Sequence, residues 1–253
     1  MRGIYHAAGS MLVNQFHLEN ISHNLANLHT PGYKRSEPVQ KTFPEILLYR
    51  RERMGSGEGK AGLQPIGPAA LNVALEETPL IYLNGALLQT GEQLDLALQG
   101  EGFFVLETPG GVGYSRDGRF HLNAAGVLVN TAGYPVLGED GLLTLQTGAV
   151  VVDGAGNVYA GGERVNRLRL LAFDPENLLW KEGYNLFQAA EGAVSRRAEA
   201  EVWQGYLEES NADLLRQMTA LLKVRRSYEA AQKTSQTYDR LLSRAANELG
   251  SLG

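Results

Sequence analysis

Cysteine is absent from the 253 residues, so the chain forms no disulfide, no thiolate metal site and no cysteine nucleophile. Long apolar runs are absent as well. Nothing approaches the roughly 18 consecutive apolar residues of a membrane-spanning helix. Arg2 supplies an early cation, but Gly9, Ser10 and Asn14 interrupt any apolar stretch and no small-residue cleavage site follows. The expectation is a cytoplasmic chain, or one that leaves by a route using no cleaved signal. Positive charge is in deficit, with 23 Lys and Arg against 28 Asp and Glu and a net charge of −5. A nucleic-acid partner needs a basic face to neutralise phosphates, and this balance argues against one.

Motifs for chemistry are equally scarce. No Gly-X-Ser-X-Gly nucleophile elbow occurs. His6, His17, His23, His29 and His121 form no His-Glu-X-X-His array, and His17 and His23 are too far out of step to share a helix face. Residues 55–62 are glycine-rich, but the Ser or Thr that a phosphate loop requires after Lys60 is missing. Asp117 and Asp153 each precede glycine, as turn residues do. Paired carboxylates are legible only in a tertiary structure. The expectation is therefore no catalytic residue, no cofactor and no metal.

What is present is an ordinary globular composition, 43% hydrophobic and 20% charged, long enough for one or two domains with a proper core. Its layout is helix, β region, helix. Ile4, Met11, Leu18 and Leu25 stand seven apart, with Ala7, Asn14, Ile21 and Leu28 as a companion row. That is a coiled-coil seam with one polar position. Pro31 ends the helix and Pro31-Gly32 suits a type II turn. From Leu83 to Asn185 short β-rich runs alternate with turn signals such as Pro109-Gly110, Asp117-Gly118 and Asp140-Gly141. Such spacing predicts an antiparallel barrel or sandwich. A second helix is expected from Ser210-Asn211, either of which can cap it. Its rows are Leu214, Leu221, Tyr228, Ser235, Leu242, Leu249 and Gln217, Val224, Ala231, Tyr238, Ala245. At about 1.5 Å per residue such a helix reaches about 57 Å, more than a β domain of this size can cover.

Two terminal helices thus carry seams that the middle of the chain cannot hide. Pairing one with the other satisfies part of both, and the remainder is left for other copies. Contacts that do not close on themselves build a filament. The predicted polymerisation interface comprises Ile4, Met11, Asn14, Leu18, Ile21, Asn24, Leu25, Asn27 and Leu28, with Leu214, Leu221, Val224, Tyr228, Tyr238 and Leu242. The alternative is a β-barrel binding module on a coiled-coil dimerisation stem.

The stretch Asn20-Ile21-Ser22-His23-Asn24-Leu25-Ala26-Asn27 through Thr30-Pro31-Gly32-Tyr33-Lys34-Arg35 closely resembles the N-terminal signature of flagellar basal-body rod and hook proteins. Residues 207–249, including Ser210-Asn211-Ala212-Asp213-Leu214 and Arg226-Ser227-Tyr228-Glu229-Ala230, look like that family's C-terminal core. Gly100-Glu101-Gly102-Phe103-Phe104 and Tyr114-Ser115-Arg116-Asp117-Gly118 are similar to its middle domain. His17, His23 and His29 depart from the usual pattern. The resemblance implies a mainly β fold with long terminal α-helices that coil together in a filament core. It implies four segments: a helical polymerisation segment at 1–35, a linker at 36–82, a β domain at 83–205 and a second helical segment at 206–253. It further implies a non-enzymatic structural subunit of the flagellar basal body that transmits torque toward the hook. The implied partners are copies of itself, other rod and hook proteins, the flagellar export apparatus and the rings around the rod.

Overall fold

The computed structural model describes residues 2–42, 46–52, 62–69, 73–75, 81–145, 149–173, 179–183, 185–189 and 192–250. The chain is mainly β with two helices, α1 (Arg2–Ala26) and α2 (Leu214–Gly250), and several antiparallel sheets. It divides into two compact units. One comprises Met1–His23, Glu37–Thr78 and Leu215–Gly253, and the other Asn24–Ser36 and Pro79–Leu214.

In the first unit α1 and α2 lie side by side. Asn14 Nδ2 donates to Ser227 Oγ at 3.2 Å. Gly3 sits against Tyr238 so closely that a Cβ there would come 2.3 Å from the ring. Partner numbers fall along α2 as they rise along α1, so the helices are antiparallel. The segment between them, read from sequence as a linker, pairs into ladders where it is described. Ile46–Glu52 runs against Gly62–Ala69, and Gln40–Thr42 against Val73–Leu75. Most of the glycine-rich stretch, residues 55–61, lies outside the described residues, as do residues 76–80 of the expected linker.

The second unit holds the β core. Its largest sheet has six strands in the order Leu179–Gly183, Leu186–Ala189, Gly111–Ser115, Phe103–Thr108, Leu170–Phe173, Ser195–Arg197. Successive side chains on a strand point to opposite faces. Phe104 therefore enters the main core with Leu96, Leu98, Leu106 and Val136, while Phe103 joins a smaller aromatic cluster with Phe187, Tyr114 and Phe173. Phe104 meets Phe120 edge-on at 5.1 Å. Side-chain turns punctuate the chain: Asn123 Oδ1 accepts from the amides of Ala125 and Val127, and Asp153 Oδ1 from those of Ala155 and Asn157. The described strands form separate sheets, and among them none closes into a barrel.

Both helix boundaries have local causes. After α1 the chain turns at Thr30-Pro31-Gly32-Tyr33, with Tyr33 N donating to Thr30 O at 3.2 Å and Gly32 at φ +66°. This is the predicted type II turn, whose third position needs a positive φ. α2 begins at Leu214, later than the sequence suggested. Asn211 cannot cap it because its side chain is engaged elsewhere: Oδ1 accepts from Arg35 N at 2.7 Å and Nδ2 donates to Ile81 O at 2.7 Å. Ser210 Oγ accepts from Ala212 N in a local turn at 3.3 Å. Asp213 instead directly precedes the first helical residue, where negative charge is favourable.

Candidate assembly site

Three charged side chains meet in the interior of the second unit. Lys34 follows the type II turn, Arg116 follows strand Gly111–Ser115, and Glu208 ends strand Tyr206–Glu208. Lys34 and Glu208 are 1% exposed and Arg116 4%. Lys34 Nζ donates to Glu208 Oε1 at 2.5 Å, and Arg116 Nη1 donates to Oε2 at 3.1 Å. One carboxylate thus holds two cations from segments far apart in the chain. The further hydrogen bonds of the three groups go to backbone. Lys34 reaches Leu83 O at 2.8 Å, Arg116 reaches Gly100 O at 2.6 Å, and Gly85 N donates to Glu208 Oε1 at 2.9 Å. The guanidinium also stands 5.4 Å over the Phe103 ring, in reach of a cation–π contact. Burial lowers the pKa of both cations, and the Glu208 carboxylate opposes that shift. Charges taken this far from water are tolerable only when paired and hydrogen-bonded.

Around this clasp the two segments that continue into the helices are tied together. Gly32 N donates to Glu208 O at 2.7 Å and Asn211 N to Tyr33 O at 3.3 Å. Asn185, at a positive φ of 58°, donates to Pro31 O at 2.8 Å. Asn24 is buried here. Its Oδ1 accepts from Tyr33 OH at 3.1 Å and Ser36 N at 3.2 Å, and its Nδ2 donates to Ser36 O. Burial raises the Tyr33 pKa to about 12, so the phenol keeps its proton and remains a donor. Tyr33→Phe is expected to cost about 1 kcal/mol, the net worth of one hydrogen bond whose acceptor keeps a second donor. A fall in the urea midpoint with unchanged slope measures it.

The predicted interface residues fall into distinct settings. On α1, Ile21 is buried and Ile4, Met11, Asn14, Leu18 and Leu25 are half-buried. Asn27 and Leu28 follow the helix, half-buried, and Asn27 Oδ1 accepts from Thr30 Oγ1 at 3.1 Å. On α2, Leu221, Val224 and Tyr228 are half-buried, whereas Leu214, Tyr238 and Leu242 are exposed. Gln217 is the one buried residue of α2 among those described, on the same row. The sequence pointed to no role for Lys34 and Arg116 and suggested a solvated or partner-facing surface for Glu208, whereas all three are buried. The only hint is that the family-like segments 20–35, 114–118 and 207–249 each contribute one of the three.

The second unit is mainly β and carries both segments that lead into the terminal helices. Residues 97–160 match the model for the flagellar hook protein FlgE/F/G D1 domain, and residues 204–249 that for the flagellar basal body rod FlgEFG protein C-terminal region. The flagellar basal-body rod protein FlgG of Agrobacterium fabrum is 33% identical, covering 98% of this chain and 100% of its own length. FlgF of Caulobacter vibrioides is 30% identical over 93% of this chain and 92% of its own. The flagellar hook-basal body complex protein FlhO of Bacillus subtilis is 29% identical across both full lengths. The chain belongs to the flagellar basal-body rod protein family. It is a structural subunit of the basal-body rod.

Proposed function

We propose that this subunit polymerises through residues 1–35 and 206–253, with its helices coiled together in the core of the rod. Residues 83–205 then form the outward β domain and residues 36–82 the connecting segment. The observation that carries this reading is the apolar surface left open along α2, where Leu215 is 75% exposed and Leu222 57%. Contiguous apolar surface of this kind marks an interaction face. Its partners are copies of itself and other rod and hook proteins, with the rings around the rod outside. Delivery is by the flagellar export apparatus without a cleaved signal. The clasp supports a role in torque transmission, because it fixes the roots of both helices to the β core through buried bonds.

The test places a charge in the seams. Leu25→Asp, Leu221→Asp and Leu242→Asp should each abolish swimming and incorporation into basal bodies. The thermal transition of the β core should be unmoved. Swimming at the wild-type level in all three variants refutes the reading.

A further inference from the structure

Three stretches of the second unit, residues 24–36, 81–89 and 206–211, are held differently from its β core. Tyr33 and Leu207 are buried, yet neither belongs to the main apolar cluster around Phe104 or to the aromatic one around Phe103. Tyr82 touches the aromatic cluster, edge-on to Phe103 at 6.0 Å. The stretches are laced to one another by polar bonds. Ile81 N donates to Arg35 O at 3.0 Å, Glu209 N to Ala86 O at 2.8 Å and Asn211 Nδ2 to Leu83 O at 3.0 Å. Strands Leu87–Gln89 and Tyr206–Glu208 pair in a two-stranded sheet of their own. The border with the core is sharp. Glu201–Gln204 pairs with Leu96–Gln99, and Val202, Leu96 and Leu98 all enter the main cluster. Gly205, at φ +77°, separates that strand from Tyr206–Glu208.

We infer that these stretches form one latch, which opens from the β core as a unit below the free energy of global unfolding. The β core persists while the segments that lead into α1 and α2 come free together. Apolar burial is the dominant favourable term in folding, and a buried ion pair adds little net stability. A shell closed mainly by polar bonds therefore opens before a core closed by Phe104, Leu106 and Val136, all fully buried. Native proteins open in such contiguous cooperative units. The clasp makes the opening all-or-none. If residues 206–211 lifted alone, Lys34 and Arg116 would be left in a low dielectric without the carboxylate they share. If residues 24–36 lifted alone, Glu208 O and Asn211 N would lose their backbone partners, Gly32 N and Tyr33 O.

Native-state hydrogen exchange of the full chain at low, increasing urea tests this. The amides of Gly32, Ile81 and Glu209 report one stretch each, and those of Leu128, Val136 and Leu145, bonded across the β core, report the core. After correction for intrinsic rates, the three latch amides are expected to share one opening equilibrium and one urea dependence, and to exchange at least about tenfold faster than the core amides. Asn211→Ala removes side-chain bonds that join all three stretches. It should raise the three latch rates by one common factor, about fivefold or larger. Val136→Ala should speed the core amides and leave the latch amides unchanged, because the core stays folded when the latch opens. Latch amides that exchange only at core rates would overturn the inference. So would a response to Asn211→Ala confined to one stretch, or an equal acceleration of latch and core in Val136→Ala.

Discussion

Glu208→Gln is expected to destabilise the folded chain by about 3–5 kcal/mol, the cost of removing one partner from a buried ionic group. Glutamine preserves the shape but not the charge. Lys34 and Arg116 would then face each other nearly without solvent, and the low dielectric that strengthens their attraction to a carboxylate strengthens their repulsion equally. Neither cation can escape to water, because Leu83 O and Gly100 O hold them in place. Adding Lys34→Met should recover part of the loss by removing one of two unbalanced charges. The two changes should therefore be clearly non-additive in a double-mutant cycle from urea unfolding. Additive costs would show that the three groups do not act as a unit. Because the clasp fastens the roots of both helices, rod incorporation is expected to fall with stability in Glu208→Gln and to return partly in the double variant.

The second large effect is at the turn. Gly32→Ala is expected to cost about 2–4 kcal/mol, roughly 1 from left-handed backbone and 1–3 from overpacking. Gly32 has a φ of +66°, and a Cβ on it would stand 2.2 Å from the Arg116 carbonyl carbon. That neighbour is backbone and cannot rotate aside. The substitution must push the turn away from Arg116 and lengthen the bond from Gly32 N to Glu208 O. Gly133→Ala separates the two causes: φ is +85° there, but nothing lies within 4 Å of the added methyl. It should cost only about 1 kcal/mol. Equal thermal shifts in the two variants would show that the close approach to Arg116 carries no energy.

The local periodicities were legible in the sequence. On α2 the row of Gln217, Leu221, Val224, Tyr228, Ala231 and Ser235 is buried or half-buried, while most flanking positions are exposed. Pro31-Gly32 gives its expected turn, and Pro109-Gly110 and Asp140-Gly141 lie at hairpin reversals, whereas Asp117-Gly118 forms no turn. On α1 the heptad rows account for only part of the buried surface. Val13 and Asn20 are also buried, on a second covered side that a two-row pattern does not show. The start of α2 was misplaced because Asn211 looked like a cap. Its side chain was instead claimed by Arg35, a partner 176 residues away.

By itself, then, the sequence determined that a helix stands at each end of the β region, which of their faces carry the seven-residue rows, and where several of the β turns fall. Each of these is set by neighbours within a few residues, through helix pitch, strand alternation and turn dihedrals. Only the tertiary structure decided that Lys34, Arg116 and Glu208 share one interior, across separations of 174 and 92 residues. Only it decided that Phe103 and Phe104 serve different clusters, and that Leu12 and Leu215 face outward rather than toward the partner helix. Pairings of this kind depend on which distant segments the folded chain brings together, and no local periodicity encodes that choice.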